Sequence, residues 1–575
     1  MPPFSNASCF RDHTLIQIFL YHSRMPMRIS VALALTGCLL SSCTREPVEQ
    51  VLATVTPETL MQHVRILSHD SLLGRAPGTL GEQRATAYIA HRLKEYGLEP
   101  LGEKGTYFQK VTMIAHRILP TSTSEIRGGG RSLRMKNLEQ ITLSSGTPSS
   151  EVRLTNVPMV FVGYGVVAPE QNWDDYKGED VRGAVLVFLN NDPPSDDPKV
   201  FGGKARTLYG RWTYKYDIAQ AKGAAGAIVI HVDSSAGYPW AVVANSRSGE
   251  NLLLASEAAS STLKMKAWTT EAASREFFDM SGLRIEDMIA AASRPDFRPV
   301  RLKTNFSTTM RMALRTFDGV NVLGLVRGTD PALSNDVVLF SSHHDHFGIG
   351  TSVAGDSIYN GALDNATGCA MSLELARAFA AVERRPKRSL LFSFVTAEEF
   401  GLLGSAYLAT HLPVPVANVA ANINIDGFNI YGRTNDVTFL GYDRSTLGND
   451  LTSVTNTMGM KVTPDQHPEQ GHFYRSDHFN FAKVGIPPLS MGEGVDYVGK
   501  PADFAKTVSD AYNEHRYHQP SDQLSGDWPW NLEGAMQQLE VVTRLTMRIA
   551  GASPLPEWNA GDEFEAVRLE ALKNR

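Results

Sequence analysis

The chain reads as an α/β protein: a mixed sheet sandwiched by helices, with a β-rich unit inserted into it. Three observations lead there. Two amphipathic helical patterns open the body of the chain. Short β-rich runs separated by turn residues fill residues 140 to 300. From residue 318 onward, apolar runs with the length of buried strands alternate with helical patterns.

In the first stretch, Thr56 to Ser68 carries apolar residues at helical spacing (Leu60, Val64, Leu67) behind the N-terminal signal Thr56-Pro57-Glu58. Gly74-Arg75-Ala76-Pro77-Gly78-Thr79 is loop chemistry, and Gly81 to Tyr96 is a second amphipathic helix stopped by Gly97. The insert shows strands at Met159 to Tyr164, Ala184 to Leu189 and Gly226 to His231, with the long polar stretch Asn190 to Thr207 between them. Beyond it come strands at Val320 to Val326, Asp336 to Ser342, Ser389 to Thr396 and Val419 to Ile425. Helices are expected over Ala366 to Val382 and from Phe400. The last amphipathic helix closes at Met547 to Ala550, and the charged tail after Pro554 reads as peripheral. The expected units are a signal segment (1–43), a first catalytic part (50–139), the insert (140–310), a second catalytic part (311–552) and the tail (553–575).

A length of 575 residues exceeds one ordinary core, and 42% hydrophobic against 20% charged residues describes a globular chain. A net charge of -6 without a basic cluster argues against nucleic acid as a partner. Of the four cysteines, Cys9, Cys38, Cys43 and Cys369, only Cys369 lies in the body, so any metal there must be held by histidines and carboxylates. Cys369 itself, in the apolar run Ala366 to Ala380, reads as a small buried hydrophobe.

The amino terminus has the marks of an export signal. Arg28 precedes the apolar run Ile29 to Leu40, which is too short to span a bilayer. Leu35-Thr36-Gly37-Cys38 and Leu40-Ser41-Ser42-Cys43 resemble the bacterial lipoprotein signal. Cys43, which leaves the longer apolar region, is the favoured site of lipidation. Met25 or Met27 would give a signal of ordinary length. The expectation is an exported protein of the bacterial cell envelope, tethered through Cys43 or Cys38.

Ligands in doubly wound folds bind beyond the carboxyl ends of strands. Here one strand runs into His343-His344-Asp345-His346, another into Ala397-Glu398-Glu399, and a third into Asp426-Gly427, while the loop Asn360 to Gly368 adds Asp364. Each piece alone is ordinary turn or cap chemistry. Their arrival in order at one sheet edge is not. So many buried carboxylates need a cation, and oxygen and imidazole donors without thiolate suit catalytic zinc.

The segments His343 to His346, Gly361 to Gly368, Thr396 to Ser405, Asn424-Ile425-Asp426 and Tyr517-His518-Gln519-Pro520-Ser521-Asp522 resemble the successive motifs of the two-zinc exopeptidases. That family includes bacterial leucyl aminopeptidases, aminopeptidase Y, glutamate carboxypeptidase and the inactive transferrin receptor. The resemblance implies the zinc exopeptidase fold and two zinc ions per chain. His343 and Asp426 would serve one ion, Glu399 and His518 the other, with Asp364 as the bridge. It implies that Glu398 is the general base, that Asp345 accepts a hydrogen bond from the His343 imidazole, and that Tyr517 stabilises the oxyanion. His344 and His346 are assigned supporting roles. Val160 to Gly165, Gly183 to Val187 and Ala221 to Ala227 resemble a protease-associated domain, which identifies the insert.

The expected reaction is hydrolysis of the amino-terminal residue of peptides. A carboxypeptidase or dipeptidase would use the same metal site, with Arg206, Arg211 and Arg475 as conceivable carboxylate binders. A receptor-like binding protein would have lost ligands, and all five are present.

Overall fold

The computed structural model describes residues 46–575 apart from 198, 233–238, 527, 552–553 and 574. Cys9, Cys38 and Cys43, and with them the signal and tether, lie outside the described residues. Among the described residues no helix is long and apolar enough to cross a membrane.

The catalytic sheet is centred on strand Val337–His343, which pairs in parallel with Ser389–Val395 on one side and Val419–Ile425 on the other. Val419–Ile425 pairs in parallel with Pro488–Met491, and Ser389–Val395 antiparallel with Val322 to Val326. The chain leaves the central strand first to one side and later to the other. Its carboxyl end is therefore a topological switch point, where α/β folds open a crevice.

The central strand is buried on both faces, as its unbroken apolar run predicts. Val338 and Phe340 point into the core formed with helices Pro57–Leu67, Leu80–Glu95, Thr367–Ala381 and Glu533–Gly551. Val337 and Leu339 point the other way, against Leu408 of Leu403–Thr410 and Phe481 of His478–Lys483. Each such side chain stabilises the fold by about 1.5–3 kcal/mol relative to exposure.

The inserted unit has its own cores. Its sheet is continuous with the catalytic one through the 27-residue strand Val300–Val326. The first half of that strand pairs with Glu151–Phe161 and Thr123–Gly128, the second half with Phe108–Ile118 and Ser389–Val395. The insert begins earlier than the expected residue 140. Ile126, Leu133 and Met135, from the hairpin Thr123–Gly128 and Arg131–Met135, pack into the insert's core with Phe306 and Met310.

A second correction concerns the carboxyl-terminal segment, which is not peripheral. Trp558, Phe564 and Arg568 are buried, and a further helix, Glu565–Leu572, follows the one expected to be last. The charged residues hid this packing, because the Arg568 guanidinium is spent on backbone carbonyls of Val416 (3.2 Å) and Val419 (2.9 Å). Arg444 lies over the rings of Phe473 and Phe564 and pairs with Asp562 and Glu563.

Lys215 anchors the insert. Fully buried, its ammonium donates to the carbonyls of Tyr164, Asn191 and Tyr209, each at 2.7 Å. Lys215→Met leaves three buried acceptors short and is expected to cost about 2–4 kcal/mol. Hydrogen exchange should then speed up in Val185–Leu189 and Gly226–His231 while Val337–His343 stays protected. Unchanged protection in the insert strands would contradict the anchor.

Candidate active site

Three neighbouring strands deliver chemistry to the same edge. Val337–His343 ends on His343 itself, Ser389–Val395 leads through Thr396 and Ala397 to Glu398 and Glu399, and Val419–Ile425 leads directly to Asp426. Ala397 takes a left-handed φ of 54°, a conformation costly for a residue with a Cβ, and thereby turns the chain sharply at the strand end. The helix expected from Phe400 begins only at Leu403, after Gly401 and Leu402 at φ 113° and 62°.

The Asp364 carboxylate stands at the centre. Its Oδ1 lies 3.2 Å from His343 Nε2, and its Oδ2 lies 3.4 Å from His518 Nε2. His343 Nε2 is also 3.1 Å from Asp426 Oδ1, and His518 Nε2 is 3.2 Å from Glu399 Oε2. Two donor sets thus share Asp364, one oxygen each. One donor atom from each of His343, Asp364 and Glu399 also falls within a mutual 4.8 Å, so the two sets adjoin.

These distances fit a metal. Ligands about 2.0–2.1 Å from one tetrahedral zinc stand roughly 3.3 Å apart, and imidazole with carboxylate is a donor set that zinc accepts. A buried Glu399 Oε1 also lacks an aligned hydrogen bond, although His346 Nδ1 lies 2.6 Å away.

The electrostatics show how much positive charge the cluster demands. Burial alone would make His343 a weaker base, yet Asp426, Glu398, Asp345 and Asp364 hold its pKa well above the ordinary value. His518 is likewise opposed by burial but raised to about 10 by Glu399 and Asp364. Glu398 is shifted the opposite way from Glu399 and Asp364. Burial first, then Glu399, Asp426 and Asp477, raise its pKa well above the usual range against the pull of His343. Its carboxylate makes no hydrogen bond to the described residues.

The other expected residues lie close by. The Asp345 carboxylate accepts the backbone N–H of Glu398 (3.0 Å) and of Glu399 (3.4 Å), fixing the turn that presents both. Because it is spent on these amides, the nearer contact to His343 Nδ1 comes from the Asp345 backbone carbonyl at 3.2 Å, with the carboxylate at 3.7 Å. Tyr517 stacks on the His518 ring with centroids 3.7 Å apart and remains 46% exposed. His344 Nε2 bonds the Val320 carbonyl at 2.9 Å. Arg206 lines a separate cleft of about 340 Å³ between the insert and the carboxyl-terminal segment, together with Phe473 and Glu563.

Several supporting residues had no role assigned from sequence. Ser476 donates to Asp426 Oδ2 at 2.7 Å. Asp522 accepts the amides of Leu363 (3.0 Å) and Asp364 (3.1 Å). Asn365, fully buried, accepts from Gly368 (2.9 Å) and Gly427 (2.8 Å) and donates to the Ile425 carbonyl (3.2 Å), lacing the Asp364 loop to the strand that carries Asp426. Asn365 and Asp522 sit inside the motif segments, so their positions were visible although their partners were not.

Residues 321–542 match Peptidase family M28. Among curated proteins, Leupeptin-inactivating enzyme 1 of Streptomyces exfoliatus is 31% identical over 229 residues, 38% of this chain and 47% of that protein. A probable glutamate carboxypeptidase of Arthroderma benhamiae is 33% identical over 110 residues, 18% of this chain and 13% of that protein. The chain thus spans less than half the length of these relatives. Among solved structures, an aminopeptidase from Aneurinibacillus sp. strain AM-1 is 18% identical, covering 88% of this chain and 97% of that one at a TM-score of 0.47.

Removal of the Asn365 lacing should loosen both donor sets. Asn365→Ala is expected to weaken zinc binding about 10- to 100-fold, measured by competition with a chromophoric chelator. Wild-type affinity in that variant would show that the lacing does not position the donors.

Proposed function

We propose that this chain, whose residues 321–542 match peptidase family M28, is a two-zinc exopeptidase that releases the amino-terminal residue of peptides. The observation that carries the reading is the Asp364 carboxylate, which faces one imidazole from each oxygen. His343 and Asp426 would hold one zinc, His518 and Glu399 the other, and Asp364 both. Zinc bound there would supply a Lewis acid for the scissile carbonyl and lower the pKa of water.

The chain's own groups do the rest. Glu398, unbonded and made more basic by its surroundings, takes the proton of the attacking water and returns it to the leaving amine. Asp345 holds the backbone of Glu398 and Glu399 so that one side chain binds while its neighbour moves protons. Tyr517, half exposed beside His518, offers its hydroxyl to the oxygen of the tetrahedral intermediate.

A carboxypeptidase or dipeptidase would use the same metal donors, and cleavage of free against N-blocked substrates separates the two. On the same reading the insert is a protease-associated domain. The enzyme then works outside the cytoplasm, tethered through lipidated Cys43 or Cys38.

Glu398→Gln should lower kcat by about 10²- to 10⁴-fold while zinc content stays at two per chain. The wild type should cleave aminoacyl-nitroanilides and spare N-blocked peptides. Full activity of the variant would remove Glu398 as the base, and cleavage of blocked peptides alone would overturn the aminopeptidase reading.

A further inference from the structure

Arg75 is among the largest fully buried side chains, and no ion pair holds its guanidinium among the described residues. It spends its donors on backbone carbonyls. Nε donates to His344 at 2.8 Å, Nη1 to Leu67 and to Asn360 at 2.5 Å each, and Nη2 to Gly361 at 3.0 Å. These acceptors are not scattered. His344 directly follows the donor His343, while Asn360 and Gly361 open the loop that carries Asp364. Leu67 ends the helix Pro57–Leu67, which gives the fork a fixed footing in the core.

The backbone around Arg75 is shaped for this placement. Leu73, Gly74 and Arg75 take left-handed φ values of 50°, 67° and 55° in succession. Two of the three carry a Cβ, so the conformation persists only because its surroundings impose it. Gly74 lies so close to the carbonyls of Gly348 and Tyr359 that a Cβ there would sit 2.6 and 2.5 Å from them. Gly348 and Tyr359 bound the hairpin that joins the His343 segment to the Asp364 loop. The segment therefore plugs the base of that hairpin and drives the guanidinium between the two donor-bearing strands of chain.

We propose that Arg75 is a positioning residue for the metal site, setting the separation of His343 from Asp364 through a rigid fork of backbone hydrogen bonds. A planar guanidinium reaches several carbonyls in fixed directions, whereas an ammonium offers a single point of charge. Its charge also acts on Asp345, Asp364 and Asp522. The inference rests on the zinc reading given above, so wild-type zinc affinity is measured alongside the variants. If the wild type binds no zinc, that reading fails. If it binds zinc and the variants match it, only the role of Arg75 fails.

Arg75→Lys keeps the charge and the apolar stem but loses the fork. Zinc affinity is expected to fall about 10- to 100-fold, with kcat reduced at saturating zinc and KM little changed. Arg75→Ala should recover zinc affinity with added guanidinium and not with added methylammonium. A lower melting temperature with wild-type zinc affinity would overturn the proposal and leave a merely structural residue. A third measurement needs no variant. Zinc loading of the wild type should slow hydrogen exchange in residues 70–76 in step with residues 343–346 and 360–366. Unchanged exchange in 70–76 would contradict the coupling even if every variant failed to fold.

Discussion

Mutual repulsion among carboxylates is the constraint on which the rest of this site depends. Asp364, Glu399, Asp426, Glu398 and Asp345 converge at one edge of a buried sheet, where ionised groups without positive partners are costly. Two imidazoles lie among these carboxylates, and Glu399 and Asp364 raise the pKa of His518 to about 10 against its burial. On the function proposed above, a pair of divalent cations would offset most of that cost. Such a site draws its geometry from the ion and the ion's affinity from the geometry.

Backbone placement carries much of that geometry. Asp345 holds the amides of Glu398 and Glu399, Asp522 those of Leu363 and Asp364, and Asn365 those of Gly368 and Gly427. Arg75 grips carbonyls on either side of the central hairpin. Turns so tied keep their donors aimed when the side chains exchange a proton or an ion, which is the preorganisation that a hydrolytic site requires.

The strands and the residues at their ends were legible because buried parallel strands read as apolar runs, and each run breaks off at an acid or a histidine. Gly226–His231 and Val419–Ile425 coincide with their expected spans for this reason. Arg75 was not legible. A Gly-Arg-Ala-Pro loop has the composition of a surface turn, and nothing local says that its guanidinium will be swallowed by carbonyls far along the chain. The carboxyl-terminal segment misled in the same way, since Arg568 and Arg444 are charged yet buried against backbone and aromatic rings. The hairpin Thr123–Gly128 and Arg131–Met135 was assigned to the wrong unit because its partner, the first half of Val300–Val326, lies far away in sequence. His346 was assigned a supporting role without a partner, and the fold brings it to 2.6 Å from Glu399.

The central claim is that one carboxylate serves two ions, and calorimetric titration of zinc into the metal-free protein tests it most directly. The wild type should take up two equivalents, and Asp364→Ala should weaken the binding of both. Two equivalents bound by the variant at wild-type affinity would contradict a shared ligand at residue 364.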